Sequence, residues 1–237
     1  MEKVAIITGS AGNGIGRSTA LTLARENYSV VINYKSNKNK ADKICEDINK
    51  NGGKAIAVQA NIFNKKECDL LINETILNFG RIDVCIIGPG AGWNAEAIEQ
   101  LKPEESMLDI IQEISPIYYL IPKIIIEMTK NKNGRIIGIA SNKRFPSPSY
   151  SYNVAKNSRI EAMLGLVNPC WKNRITVNVI SPGPVDHIDN YSDAVKYVND
   201  FSSSPISITP QDIAETIMFL CSEKGRFVTG NVIELGF

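Results

Sequence analysis

The sequence predicts an α/β fold in a single domain over residues 1–237: a parallel seven-stranded sheet, doubly wound, with helices on both faces. Three observations predict it. Short β-branched runs alternate with longer helix-period segments from end to end. The runs are almost continuously apolar, without polar alternation, which marks strands covered on both faces. Repeated strand–helix units then imply right-handed crossovers. No linker, repeat or low-complexity stretch divides the chain, and a chain of this size buries roughly 70–75% of its unfolded surface.

In order, the predicted strands are VAIIT (4–8), SVVINY (29–34), KAIAVQA (54–60), IDVCII (82–87), RIIGIAS (135–141), RITVNVI (174–180) and NVIEL (231–235). Between the third and fourth, Cys68, Leu71, Ile72, Thr75, Ile76 and Phe79 recur at three- and four-residue steps, which predicts a helix over 65–79. Pro103-Glu104-Glu105 reads as a helix start, because proline tolerates the first turn and acids favour the positive end of the dipole. Pro116 and Pro122 fall inside that helix and are expected to bend it. Asn168-Pro169-Cys170-Trp171 is expected to end the helix that begins near residue 150. The segment 182–210 is rich in proline and serine, and is read as containing a polar lid over 186–205 with a short helix near 191–200.

Composition excludes several classes. Apolar residues are 43% and charged residues 22% of the chain, and the net charge of +1 gives no electrostatic reason to expect nucleic acid or an anionic membrane as partner. No apolar run reaches the ~20 residues of a membrane span, and Met1-Glu2-Lys3 leads directly into a strand, so the expectation is a soluble cytoplasmic protein without a leader. Cys45, Cys68, Cys85, Cys170 and Cys221 form no C-x-x-C and are expected as free thiols. One histidine without clustered partners gives no metal site.

The chemistry sits in three motifs. TGSAGNGIG (8–16) closes the first strand and opens a helix, where a parallel sheet places its ligands and where a helix N-terminus accepts a pyrophosphate. Tyr152 and Lys156 stand four residues apart, which puts phenol and ammonium on one helix face. A phenol of ordinary pKa near ~10 is a poor base at neutral pH, and a nearby lysine charge favours its phenolate. After the second strand, Asn33-Tyr34-Lys35-Ser36, with Lys38 and Lys40 beyond, offers a neutral end followed by cations where an acidic residue would repel a 2′-phosphate.

With these landmarks in order over the whole chain, the sequence resembles the classical short-chain dehydrogenase/reductase family. Thr8-Gly9…Gly14-Ile15-Gly16 is similar to its T-G-x-x-x-G-I-G with one residue inserted among Ser10 to Asn13. Ser141, eleven residues before Tyr152, and Ser181-Pro182-Gly183-Pro184-Val185 match further motifs. VINYKS and GRIIGIAS look most similar to 3-oxoacyl-[acyl-carrier-protein] reductases. The resemblance implies a Rossmann-type sheet in the order 3-2-1-4-5-6-7. It implies a catalytic set in which Ser141 polarises a carbonyl, Tyr152 passes the proton, and Lys156 tunes the tyrosine and bonds the nicotinamide ribose. It implies a cofactor site of Gly9, Ser10, Asn13, Gly14, Ile15, Gly16, Asn33, Lys35, Ser36, Asn61, Ile62, Gly88, Pro89, Gly90, Pro182, Gly183 and Val185, together with Tyr152 and Lys156. Trp93 and His187 are candidate substrate contacts.

The family's divergent enoyl reductases carry a tyrosine seven residues before the lysine, where this chain has Ser149; Tyr150 lies off the lysine's face. The expected cofactor is NADP(H) in preference to NAD(H), although Asn13 stands where NADP enzymes of the family often carry a base. The expected substrate is a small carbonyl or secondary alcohol, either a 3-oxoacyl thioester or a polar, sugar-like alcohol. The competing class is a non-catalytic dinucleotide sensor or structural protein of the same fold. A homodimer or homotetramer is implied, with apolar surface from Ile110, Ile111, Ile117, Tyr118, Ile121, Ile160, Met163 and Leu164 serving core and interface.

Two departures stand out. The family's N-N-A-G after the fourth strand is Ile87-Gly88-Pro89-Gly90 here, without bracing amides. The family's catalytic asparagine, about twenty-one residues before Gly134, aligns with Glu113, which is expected either to pair with Lys156 or to lie on the surface. The longer glycine turn is expected to fill the space the missing asparagines leave. Asn61 replaces an adenine-binding aspartate but still offers a carbonyl and an N–H, and the tail Glu234-Leu235-Gly236-Phe237 lacks the usual D-G-G.

Overall fold

A computed structural model describes residues 2–93, 97–141, 149–199 and 208–236. Its sheet is parallel, with strands β1 (Val4–Ile7), β2 (Ser29–Tyr34), β3 (Lys54–Gln59), β4 (Val84–Ile87), β5 (Gly134–Ile139), β6 (Ile175–Pro182) and β7 (Val232–Leu235) in the order β3-β2-β1-β4-β5-β6-β7. The predicted strands are all present, within two residues at each end.

Helices α1 (Ile15–Arg25), α2 (Lys38–Lys50), α7 (Tyr191–Asn199) and α8 (Pro210–Cys221) pack on one face, and α3 (Lys65–Phe79), α4 (Pro103–Asn131), α5 (Tyr150–Leu164) and α6 (Val167–Trp171) on the other. Successive strand residues feed opposite cores. Ala5 and Ile7 join the α1 side while Ile6 joins the α3 side, and Val30 and Ile32 alternate with Val31 in the same way.

Local chemistry explains the helix ends. Asn64 caps α3 by accepting from the N–H groups of Lys66 and Glu67, and Gly80 closes the helix in the left-handed region. Thr209 and Asp212 form a reciprocal capping box on α8. α4 starts at Pro103 as expected and runs as one helix through Pro116 and Pro122. Asn168–Trp171 does not terminate α5. That helix already ends at Leu164, and Asn168–Trp171 is itself helical within α6, where Pro169 sits in the first turn and its missing N–H removes no intrahelical bond.

All five cysteines are free and buried. Burial pushes the Cys45, Cys68, Cys85 and Cys221 thiols up to about 12, and Cys170 to about 11. No described helix is long and apolar enough to cross a membrane.

The topology places the site. β1 pairs with both β2 and β4, so the connections after β1 and β4 leave toward opposite faces and open a crevice at the carboxyl edge of the sheet.

Candidate active site

The glycine turn lines one wall of this crevice. Thr8 Oγ1 donates to the Ile86 carbonyl at 3.0 Å and accepts from the Gly88 N–H at 2.9 Å, tying the turn to the loop after β4. Gly9 adopts φ +63°, and a Cβ there would fall 2.3 Å from Pro89 Cγ. A Cβ at Gly16 would lie 2.9 Å from the Gly9 carbonyl oxygen. Both glycines are therefore required by the fold. Gly14 caps α1 without any side-chain hydrogen bond, and no acid stands in the first turn. The helix thus supplies no acid of its own to its positive end, which fits a bound pyrophosphate.

Several predicted cofactor residues have other employment. Ser10 is buried, and its hydroxyl donates to the Ile7 carbonyl at 2.8 Å. Asn33 is also buried. Its Oδ1 accepts from the Gly9 N–H at 3.1 Å, and its Nδ2 donates to the Ala60 carbonyl at 3.0 Å, so it braces the turn from beneath rather than presenting an amide to a ribose. At Asn61 the N–H donates to Glu67 Oε2 and Oδ1 accepts from the Phe63 N–H. The two groups expected to read adenine are thus already in a local turn. Ile62 buries its side chain in the α3-side core.

Lys35 and Ser36 are exposed just past β2. Lys38 pairs with Asp42 along α2, whereas Lys40 Nζ reaches Asn13 Oδ1 at 3.3 Å. Asn13, Arg17, Lys40, Lys43, Asp189 and Tyr191 line a cavity of about 210 Å³ beside the turn.

The catalytic candidates come from the end of β5 and from α5. Ser141 follows β5 by two residues, and its carbonyl accepts from Ser181 Oγ on β6. Ser149 caps α5, accepting from the Tyr152 N–H at 3.3 Å, which sets Tyr152 in the first turn. Tyr150 is exposed. Lys156 Nζ lies one turn further on, 5.3 Å from the Tyr152 ring centroid.

Glu113 is fully buried, which excludes its surface alternative. Its Oε1 lies 2.8 Å from Lys156 Nζ and accepts from the Ala91 N–H at 2.8 Å, and its Oε2 lies 2.6 Å from Arg159 Nε. Arg159, also without solvent exposure, donates through Nη1 to the carbonyls of Gly88 (2.8 Å) and Ile139 (2.9 Å), and through Nη2 to that of Pro89.

The loop lacking asparagines is therefore braced from behind by a guanidinium. A Cβ at Gly90 would lie 2.1 Å from the Glu113 carboxylate, so the glycine makes room for the acid. This corrects the expectation that the longer glycine turn fills the vacated space: Pro89 does touch Gly9, but Glu113 and Arg159 occupy the ground behind the loop.

The electrostatics also differ from the expected phenolate-favouring site. Burial, then Glu113, pushes the Tyr152 phenol above its ordinary range, with Arg159 opposing. Burial lowers the Lys156 ammonium, and Glu113 partly restores it. The protein alone thus keeps the phenol protonated.

The last wall comes from β6 and the lid. The Gly183 N–H donates to the Leu235 carbonyl at 2.8 Å, holding the Pro182–Val185 turn against β7, and Val185 bridges to Ile208. The exposed His187 packs on the turn, with ring atoms 3.3 Å from where a Gly14 Cβ would stand. Arg17 donates to the Ile188 carbonyl, Asn13 Nδ2 donates to Asp189 Oδ1 at 3.2 Å, and the Arg17 guanidinium lies 5.7 Å from the Tyr191 ring centroid. The short helix predicted near 191–200 is α7; the remainder of the lid, 200–205, lies outside the described residues. Trp93 is 60% exposed at the rim.

Sequence reasoning took Thr8 only as part of the glycine motif, and missed Arg17, Tyr191 and above all Arg159. The last was legible in principle, standing three residues past Lys156 and so on the same helix face.

The crevice at the carboxyl edge of a doubly wound parallel sheet, with its glycine turn, defines a protein of the dinucleotide-binding α/β class. A family model described as enoyl-(acyl carrier protein) reductase matches residues 9–235. The chain belongs to the short-chain dehydrogenase/reductase family. It is 32% identical to the 3-oxoacyl-[acyl-carrier-protein] reductase FabG of Staphylococcus aureus, over 99% of this chain and 97% of that protein. It is 34% identical to an uncharacterized oxidoreductase of Methylorubrum extorquens, over 98% and 95%. In fold it is similar to acetoin dehydrogenase YohF of Salmonella typhimurium, with TM-score 0.86 and 24% identity over 99% of this chain and 94% of that one.

Proposed function

We propose that the protein is an NADP(H)-dependent carbonyl reductase acting on 3-oxoacyl thioesters, with Tyr152 as the general acid. The observation that supports this reading is the placement of Tyr152 and Lys156 one turn apart in α5, with Lys156 Nζ 5.3 Å from the Tyr152 ring centroid, in a chain of the short-chain dehydrogenase/reductase family. The substrate class follows the likeness to FabG, a 3-oxoacyl-[acyl-carrier-protein] reductase by name. An enoyl reductase of the divergent type, which the family model's description brings to mind, is disfavoured because Ser149 stands where that chemistry needs a tyrosine and here serves as a helix cap.

The residues present fit the cofactor: the uncapped start of α1 suits a pyrophosphate, and Arg17, Lys40 and Lys43, which outnumber the one acid Asp189 in the cavity beside the turn, suit a 2′-phosphate better than a bare hydroxyl. When bound, the nicotinamide supplies the hydride. Ser141 Oγ orients and polarises the substrate carbonyl. Tyr152 delivers its phenolic proton to the carbonyl oxygen as charge develops there. Lys156 would hold the ribose and, as a cation, stabilises the phenolate left behind. His187 and Trp93 shape the entrance.

The free thiols support a reducing, cytoplasmic setting. Leu108, Ile111, Tyr118 and Ile126, all exposed on α4, support a homodimer or homotetramer through that helix, whereas Ile117, Ile121, Ile160 and Met163 belong to the core. Light scattering checks this, and a monomer sinks it.

The functional test is NADPH oxidation with acetoacetyl-CoA as probe. Wild type is expected to turn over, and Tyr152→Phe to lose roughly 10²–10⁴-fold in rate while NADPH fluorescence still reports binding. No turnover by wild type with NADPH or NADH defeats the substrate assignment, and a lower KM for NADH than for NADPH defeats the cofactor assignment.

A further inference from the structure

We infer that Arg159 is a positioning residue of the reaction: it offsets the buried charge of Glu113 so that the site behind Tyr152 keeps one net positive charge, and it holds the loop after β4 through the same guanidinium. The inference rests on the reading of Tyr152 as the proton donor.

Glu113 poses a problem that Arg159 solves. A carboxylate 2.8 Å from Lys156 Nζ, with no solvent exposure, cancels most of the ammonium's field at the phenol. Left with Lys156 alone, the site would be neutral, and the phenolate produced by proton donation would find no net countercharge. Arg159 adds a second cation on the other carboxylate oxygen at 2.6 Å, so lysine, glutamate and arginine together sum to +1. Arginine suits this position because it keeps its charge when buried, and its fork has donors left after meeting the acid. Those donors go to Gly88, Pro89 and Ile139, so the residue that sets the charge also fixes the loop after β4.

Few other groups can do this. The charged side chains facing Tyr152 among the described residues are Lys156 and Arg159 from α5 and Glu113 from α4. β6 carries no charged residue, and the one in β5, Arg135, stands at the strand's opposite end. The directions agree: Glu113 raises the phenol's affinity for its proton and Arg159 lowers it.

The test reads Tyr152 directly, without substrate or cofactor. Tyrosinate absorbance near ~295 nm is titrated in each variant against the same variant carrying Tyr152→Phe, so the difference reports this phenol alone. Glu113→Gln is expected to bring the transition down by about one pH unit, since the site gains positive charge. Adding Arg159→Met to Glu113→Gln is expected to return it toward the parent value, and adding Arg159→Lys instead is expected to leave it low, because the cation remains. Near-UV circular dichroism at neutral pH checks that packing survives; should Arg159→Met unfold the chain, the comparison of Glu113→Gln with Glu113→Gln/Arg159→Gln takes its place. The inference is overturned if Glu113→Gln leaves the transition unmoved, or if removing the Arg159 cation leaves it where Glu113→Gln alone put it. Failure here with an intact Tyr152→Phe activity loss condemns the role of Arg159 only; the reverse outcome condemns the reading of Tyr152.

Discussion

The two sides of the crevice hold their loops by different means. On the β1 side, the glycine turn rests on a neutral amide: Asn33 accepts from Gly9 and donates beneath β3's exit, buried but uncharged. On the β4 side, the loop after the strand rests on an ionic cluster, with Arg159 gripping its carbonyls and Glu113 gripping the Ala91 N–H. A neutral brace acts only where it touches. A charged one also sets the field across the catalytic groups, so structure and chemistry cannot be altered there independently.

The largest effect expected from breaking this contrast is at Glu113. Glu113→Ala leaves Lys156 and Arg159 as unpaired buried cations, which costs about 3–5 kcal/mol, read as a fall in denaturant midpoint. A loss under about 1 kcal/mol would mean that water enters and screens the pair. Gly90→Ala drives a methyl against the Glu113 carboxylate and should destabilise by about 1–3 kcal/mol. Combined with Glu113→Ala it should add almost nothing, because the clash partner is gone.

Asn33→Ala is expected to cost about 1–2 kcal/mol and to weaken NADPH binding through a loosened Gly9. It should leave the pH dependence of turnover unchanged, and a displaced profile would erase the distinction between the two sides. Smallest is Asp189→Ala, which removes one exposed hydrogen bond between lid and turn; under about 0.5 kcal/mol is expected by thermal melting.

The pH profile sharpens the same contrast. Burial and Glu113 raise the Tyr152 phenol above its ordinary value, so the acid form dominates at neutral pH. Reduction, which needs that proton, should hold level to roughly pH 9 and fall only as pH climbs through the raised value, while alcohol oxidation should rise with pH over the same range. A reduction rate already falling between about pH 6 and 8 would contradict this.

Much of this molecule was readable from its residues. Strand positions and the Tyr152–Lys156 face follow from periodicity and spacing, which are local properties, and the sheet order follows from the family resemblance. The misreadings concern buried polar groups. Asn33 and Asn61 look like ligand-facing amides because nothing in one dimension shows that Gly9 and Phe63 N–H groups already point at them. Arg159 looks like one more helix-surface cation until Glu113, 46 positions away, arrives against it. Pairing across that distance is a property of the fold, not of the string.

The Glu113–Arg159 pair also bears on descent. A forebear with the acid alone would have buried a carboxylate against the one lysine the chemistry uses, and one with the arginine alone would have buried an orphan cation, each carrying a penalty of several kcal/mol. The two are accordingly expected to be inherited as a unit. Glutamate, then lysine 43 positions later and arginine 46 later, followed in the genomes where it recurs beside an asparagine-free loop, would trace one lineage back to the event that changed both.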